Sequence, residues 1–245
     1  MTTYATVARK LYLLQLSTTT LPLPTGPVHL GSACYLIETT GGKHVLVDSG
    51  MPEDVPPRPG TPPSENKKNV LEHLADLALR PSDLDILVCT HFDVDHAGYH
   101  DFFTNAECIV QREHYQLARN NHPRYAPARA HWDHPALHYR MVEGDTELLP
   151  GITLLETSGH ARGHQSVLVQ LPHTGPVLLA IDAVMLERLF TPTRKPWPND
   201  DNEEQLLAST RRLLDIVEQK KVALTIFGHD AQQWQNLKRA PNFYD

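Results

Sequence analysis

Long apolar runs are missing from this chain of 245 residues. The most extended one near the start, "LYLLQL", is far short of the about 20 residues that a membrane-spanning helix needs. No small-residue cleavage site of a secretory signal follows it, so the expectation is a cytoplasmic protein with no membrane partner. Clustered lysine and arginine are also absent, and the net charge is −7. That balance excludes the basic face on which a phosphate backbone binds, and nucleic acid is not an expected partner. Cysteine is scarce. Cys34, Cys89 and Cys108 lie far apart within "SACYLI", "ILVCTH" and "AECIV", and they read as reduced core thiols rather than disulfide partners or ligands. No internal repeat is strong enough to use.

What is present is ordinary for a globular protein, with 40% hydrophobic and 21% charged residues. A chain of this length can bury a full core, and residues 1–245 are read as one domain. "KLYLLQL", "SACYLIETT" and "KHVLVDSG" read as strands, the last following a Gly41-Gly42 turn. The Pro-rich "MPEDVPPRPGTPPSEN" reads as an exposed loop. "NKKNVLEHLADLAL" has helical spacing and leads into a buried strand, "PSDLDILVCT". "HAGYHDFF" reads as a helix start, and "AECIVQREHY" as a strand running into a helix. The segment "NNHPRYAPARAHWDHPALHYRM" has weak periodicity and is expected as a loop or short helix lying over a site. Strands resume at "ITLLETSG", "QSVLVQL", "PVLLAIDAV" and "VALTIFGHD". Between the last two, "NEEQLLASTRRLLDIVEQKK" carries a leucine stripe typical of a covering helix. Strand clusters separated by helices predict an α/β protein, with two sheets packed face to face and helices outside them, a four-layered design.

The chemistry gathers where buried strands end. "CTHFDVDHAG", "TSGHARGHQS", "AIDAV" and "IFGHD" each place His or Asp just beyond an apolar run. Such groups are costly to collect beside a hydrophobic strand unless a bound cation offsets their desolvation and repulsion. The candidates are His91, Asp93, Asp95, His96, His160, Asp182 and His229, imidazoles and carboxylates of the kind that hold zinc, iron, manganese or cobalt. Seven groups exceed one tetrahedral ion, and two ions sharing a carboxylate would use them all. His131, His134 and His138 are spaced to face one way on a helix, but no carboxylate completes a site there, so they are expected on a solvated lid or pocket wall.

The order HxxxDH, GH, D, GH resembles the metallo-β-lactamase superfamily, whose fold is an αββα sandwich with metals at the sheet edge. Within it, "VLVDSGMP", "HAGYHDFF", "VQREHY", "EGDTELLPGITLLETSGHARGHQS", "AIDA" and "FGHD" are most similar to the N-acyl-homoserine lactonases, across nearly the whole chain. The resemblance implies His91, Asp93 and His160 on one divalent ion, Asp95, His96 and His229 on the other, and Asp182 as the bridge. It makes Asp48 an orienting residue that does not bind metal. His164 reads as a structural or supporting residue, because the ligand set is complete without it. The implied reaction is hydrolysis of a lactone by attack of a metal-bridging hydroxide, with Asp95 moving a proton to the leaving oxygen. The implied partner is a small-molecule lactone, in an apolar groove walled by residues 125–141 and the Pro-rich loop; a homodimer is compatible with it.

Two departures stand out. Asp93 occupies the position of the usual second histidine of HxHxDH, which keeps zinc as the first expectation but admits iron, manganese or cobalt. Met185 stands where those lactonases carry a tyrosine three residues after the bridging aspartate; Tyr35, Tyr99, Tyr139 and His100 are the candidate stand-ins. Alternative readings are a glyoxalase-II-like thioesterase or other esterase, a di-iron oxidoreductase, and a metal-binding protein without catalysis.

Overall fold

The computed structural model describes residues 7–23, 26–56 and 60–245. The chain begins with a long antiparallel hairpin, β1 (Ala8–Leu23) and β2 (Gly26–Thr39), extended by β3 (His44–Val47). Helix α1 (Val70–Asp76) crosses to β4 (Ile86–Val88), and β5 (Glu107–Gln111) runs directly into α2 (Arg112–Arg119). After the short α3 (Arg129–Trp132), β6 (His138–Val142) completes a parallel run from β3 to β6. The second sheet takes β7 (Thr146–Leu149), β8 (Ile152–Glu156), β9 (Gln165–Leu171) and β10 (Gly175–Ile181). Helix α4 (Glu203–Lys220) then returns to β11 (Leu224–Phe227), parallel to β10. The turn of helix α5 (Ala231–Trp234) sends β12 (Phe243–Tyr244) back to β1. The sheet orders are β12-β1-β2-β3-β4-β5-β6 and β11-β10-β9-β8-β7.

The strands of the first sheet are apolar on both faces because both faces are covered. In β1, Leu11 and Leu13 join Val167, Val169 and Leu179 in the core between the sheets. Tyr12 and Leu14, pointing the other way, join Val70 and Leu74 of α1. Across the second sheet, Leu213 of α4 packs on Leu178, Ala180 and Phe227. The result is the four-layered αββα arrangement. All three cysteines are buried and free. No helix among the described residues is long and apolar enough to cross a membrane.

Some local expectations are corrected. "HAGYHDFF" forms only a 3-10 turn, His100–Phe102, and the residues before it are tied to the loop after β3. Gly98 donates to the Gly50 carbonyl at 2.7 Å, and Tyr99 to Ser49 Oγ at 2.9 Å. Residues 120–141 form the expected short helical turns, Pro123–Tyr125 and Arg129–Trp132, but as part of a packed core and not an open lid. Tyr125 and Trp132 are fully buried, Trp132 stacks on Phe92 at 4.5 Å, and the segment ends as β6, so its aromatics fill a core rather than wall a groove. Part of the Pro-rich stretch, residues 57–59, lies outside the described residues. β7, β12 and α5 are too short to show a period in the sequence.

Two contacts fix loops around the strand ends. Gly159 has φ +137°, and a Cβ there would lie 2.3 Å from the Leu206 backbone at the start of α4. Gly159→Ala is therefore expected to destabilise the protein by roughly 1–3 kcal/mol, read as a lowered Tm. His131 donates from one ring nitrogen to Asp101 (2.9 Å) and from the other to Asp54 (3.0 Å), clasping α3, the 3-10 turn and the loop after β3. Burial lowers the His131 pKa, but the two carboxylates outweigh it and raise it above the usual value. A raised folded pKa means the clasp is fully present below about pH 6.5 and is lost as pH rises through the folded value. Amide protection factors at residues 51–56 should fall over that window, and His131→Gln should remove the pH dependence.

Candidate metal centre

Asp48, His91, His160, Asp182 and His229 follow β3, β4, β8, β10 and β11 respectively, strands whose C-terminal ends meet along one edge of the sandwich. Two of these exits carry backbone strain. Asp48 has φ +59° and Ile181, next to Asp182, has φ +53°, a region that is an outlier for a β-branched side chain. Strain of this kind persists only where the surroundings over-determine it. Here one turn aims Asp48 at Thr90 and His96 beyond the neighbouring β4, and the other aims Asp182 across at His96 of the first sheet.

Each candidate histidine ligand is held by Nδ1. His229 Nδ1 donates to the Gly31 carbonyl at 2.7 Å and His160 Nδ1 to Asp200 Oδ1 at 2.8 Å. His96 Nδ1 donates to Asp48 Oδ2 at 2.8 Å. His91 Nδ1 donates to Thr90 Oγ1 at 3.0 Å, and that hydroxyl in turn donates to Asp48 Oδ2 at 2.7 Å. Asp48 also accepts the Thr90 amide at 2.8 Å, so one buried carboxylate sets two imidazoles. With Nδ1 engaged, the four Nε2 atoms are the ones left to face the site.

They face three carboxylates. The donor atoms fall into three overlapping groups, each within 4.8 Å: His91, Asp93 and His160; His91, His96 and Asp182; Asp95, His96 and His229. Asp182 reaches both sides, with Oδ2 3.4 Å from His160 Nε2 and Oδ1 3.5 Å from His96 Nε2 and 3.0 Å from His229 Nε2. Asp95 Oδ2 lies 3.8 Å from His229 Nε2, and its side chain, 30% exposed, is the most open of the seven.

The buried atoms left without a hydrogen-bond partner include His91 Nε2, His96 Nε2 and Asp182 Oδ1. Orphaned lone pairs aimed at one another are costly unless a cation lies between them. The donor set fits divalent ions on that ground. Charge distribution agrees with it. Burial opposes the His96 imidazolium, but Asp182, Asp95 and Asp48 outweigh it and hold its pKa well above the usual value. Burial and the neighbouring His96 push His91 well below its own. Burial likewise disfavours ionised Asp182, yet His229 and His96 keep its pKa well below the carboxylate range.

Other predicted residues fall elsewhere. His164 lies behind the site, joining Thr157 Oγ1 through Nδ1 at 2.9 Å and accepting the Asp182 amide at Nε2, 3.3 Å. His131, His134 and His138 do not share a face: the first is clasped by two aspartates, the second accepts the Ala136 amide and the third begins β6. Met185 is buried and accepts the His229 amide at its carbonyl, 3.0 Å. Among the stand-ins for a tyrosine there, Tyr139 is engaged with the Trp132 carbonyl at 2.6 Å, and Tyr35 and Tyr99 sit within the cores of the first sheet. His100 bonds Ser49 Oγ through Nδ1 at 2.7 Å.

Sequence reasoning missed Arg124, Asp200, His114 and Thr90. Arg124 grips Asp93 with two bonds of 2.6 Å. His114 accepts the Phe92 amide at Nε2, 2.8 Å, and donates from Nδ1 to the Arg162 carbonyl, 2.7 Å, fixing the loop that bears Asp93. Thr90 stands at the β4 exit beside His91 but is not itself a metal-ligand type, and Arg124, Asp200 and His114 are marked only by their meeting in space.

An αββα sandwich with a two-sided imidazole and carboxylate cluster at the sheet edge defines a class of metal-dependent proteins. The chain belongs to the metallo-beta-lactamase superfamily, whose sequence model matches residues 28–229. It is 34% identical over 221 residues to an N-acyl homoserine lactonase from a Bacillus species, covering 86% of this chain and 85% of that one. The N-acyl homoserine lactonase AttM of Rhizobium radiobacter is 30% identical over 240 residues, with 86% of each chain covered. Among solved structures, an N-acyl homoserine lactone hydrolase with the product N-hexanoyl-L-homoserine bound at its catalytic metal centre superposes with a TM-score of 0.83 at 31% identity, over 97% of this chain and all of that one.

Asn tolerates the positive φ of residue 48, so Asp48→Asn should keep the turn while removing the charge that orients His96 and Thr90. The expected loss is about 10–100-fold in metal affinity, measured by competition with a chromogenic chelator.

Proposed function

We infer that this protein is a metal-dependent hydrolase that opens the lactone ring of N-acyl homoserine lactones. The observation that carries the reading is the convergence of four Nε2 atoms and three carboxylates at one sheet edge, in a chain similar over most of its length to lactonases. We read residues 1–245 as a single domain with two divalent ions, zinc first and iron, manganese or cobalt admitted by Asp93. When bound, such ions lower the pKa of water toward neutrality and polarise a carbonyl.

The chain's own residues supply the rest. His91, Asp93 and His160 would hold one ion, Asp95, His96 and His229 the other, with Asp182 shared. Asp48, Thr90 and Asp200 keep the imidazoles turned by their Nδ1 atoms, so no reorganisation is needed on substrate binding. Asp95, the open member, is the group to take a proton from the attacking water, at the carboxylate oxygen not needed to hold the ion, and deliver it to the departing ring oxygen. His164 keeps the Asp182 backbone in place. No nucleophilic side chain lies among the donors.

The test is a pH-stat panel of short- and long-chain acyl-homoserine lactones, a thioester and a β-lactam, run with metal analysis. Ring opening well above the metal-free buffer rate, abolished by chelation and restored by added metal, is expected for the lactones. Turnover confined to the thioester, or less than one equivalent of metal in loaded protein, overturns the reading. Asp95→Asn should lower kcat by about 10²–10⁴-fold, with the metal content unchanged or only slightly reduced.

A further inference from the structure

One cation is already at the centre, and it belongs to the chain. Arg124 follows no apolar run and sits in the 3-10 turn Pro123–Tyr125, yet its guanidinium enters the cluster. Nε donates to Asp93 Oδ1 at 2.6 Å and Nη2 to Asp93 Oδ2 at 2.6 Å, a two-pronged carboxylate grip. Nη2 also lies 2.8 Å from His160 Nε2, and those two acceptors are 3.3 Å apart. A guanidinium nitrogen can only donate, so this contact uses the His160 lone pair that a metal ion would need. Nη1 anchors the group behind, on the carbonyls of His160 (2.9 Å) and Asn199 (2.8 Å) and on Asp201 Oδ1 (2.7 Å).

We propose that Arg124 is a built-in counter-cation that competes with the metal ion for Asp93 Oδ2 and His160 Nε2, and so makes the His91, Asp93, His160 side the weaker and more readily emptied of the two. The proposal rests on the ligand assignment above. Its physical basis is charge. Asp93 adds a negative charge where a histidine would add none, and Arg124 restores the sum while satisfying both carboxylate oxygens when the ion is absent. The opposite side, with Asp95, His96 and His229, has no arginine or lysine bonded to it among the described residues. Arg124 is thus a positioning residue for metal occupancy; because the guanidinium is one rigid plane, Nη2 leaves His160 only when the whole fork shifts on Asp93.

Zinc and cobalt titrations of the stripped protein, followed by calorimetry, should resolve two affinities at least about tenfold apart in the native chain. Arg124→Gln should tighten the weaker one about tenfold and leave the tighter one within twofold. In an Asp93→His background, where the two-pronged partner is gone, Arg124→Gln should change the weaker affinity less than twofold. If a stripped variant does not fold, chelator extraction of the loaded protein gives the same comparison, with the fast phase of metal loss slowed by Arg124→Gln. Weaker or unchanged binding in Arg124→Gln, or an equal gain with histidine at position 93, overturns the proposal while two ions still bind. A native chain that takes up no metal overturns the ligand assignment together with it.

Discussion

The structure depends on the buried hydrogen bonds at Nδ1 of four histidines. Each imidazole has two nitrogens, and an acceptor on one decides which way the other points. Asp48, Thr90, Asp200 and the Gly31 carbonyl take Nδ1 of His96, His91, His160 and His229, and Nε2 of each is thereby presented to the same few ångströms of space. His114 and His164, equally buried, use both nitrogens on backbone or hydroxyl partners. They have no lone pair to offer. Burial alone does not separate ligand candidates from scaffold histidines; an Nε2 turned toward Asp93, Asp95 or Asp182 does.

The sandwich makes this arrangement affordable. Two sheets closed on each other by the apolar core of Leu13, Ile37, Val88, Val167 and Leu179 end along a common edge, where polar groups need not pass through hydrophobic packing. The strained turns at Asp48 and Ile181 and the glycine at 159 lie at that edge. Strain there is balanced by the packing of strands on either side, the usual relation between a rigid scaffold and the loops that carry chemistry.

Charge imposes the second constraint. Asp48, Asp93, Asp95 and Asp182 are gathered in or behind one small site, and the structure offsets them with imidazoles and with Arg124. Burial opposes ionisation of Asp93, but the Arg124 fork, with His160 and His91 close beside it, holds its pKa well below the usual range. The exchange of a histidine for an aspartate at this position is therefore coupled to an arginine 31 residues away in sequence, and it changes the cluster's demand for a cation on one side more than on the other.

The sequence by itself determined the layers and the ligand candidates. Continuous apolar runs such as "ILVCT" and "VLLAI" can only be strands buried on both faces, and the His and Asp that end them stand out because a hydrophobic strand has no other reason to stop on them. Short pieces escaped it: β7, β12 and the 3-10 turn at His100, because four or fewer residues carry no period, and the folding of residues 120–141 into a core around Trp132, because that packing is tertiary. Tertiary structure alone decided which polar groups share the site. Arg124 and Asp200 come from segments whose local pattern reads as loop or helix cap, and the partners that turn each imidazole, Gly31 to His229 above all, are as much as 198 residues distant. A hydrogen bond of that span is set by how two sheets pack, and no local sequence signal encodes it.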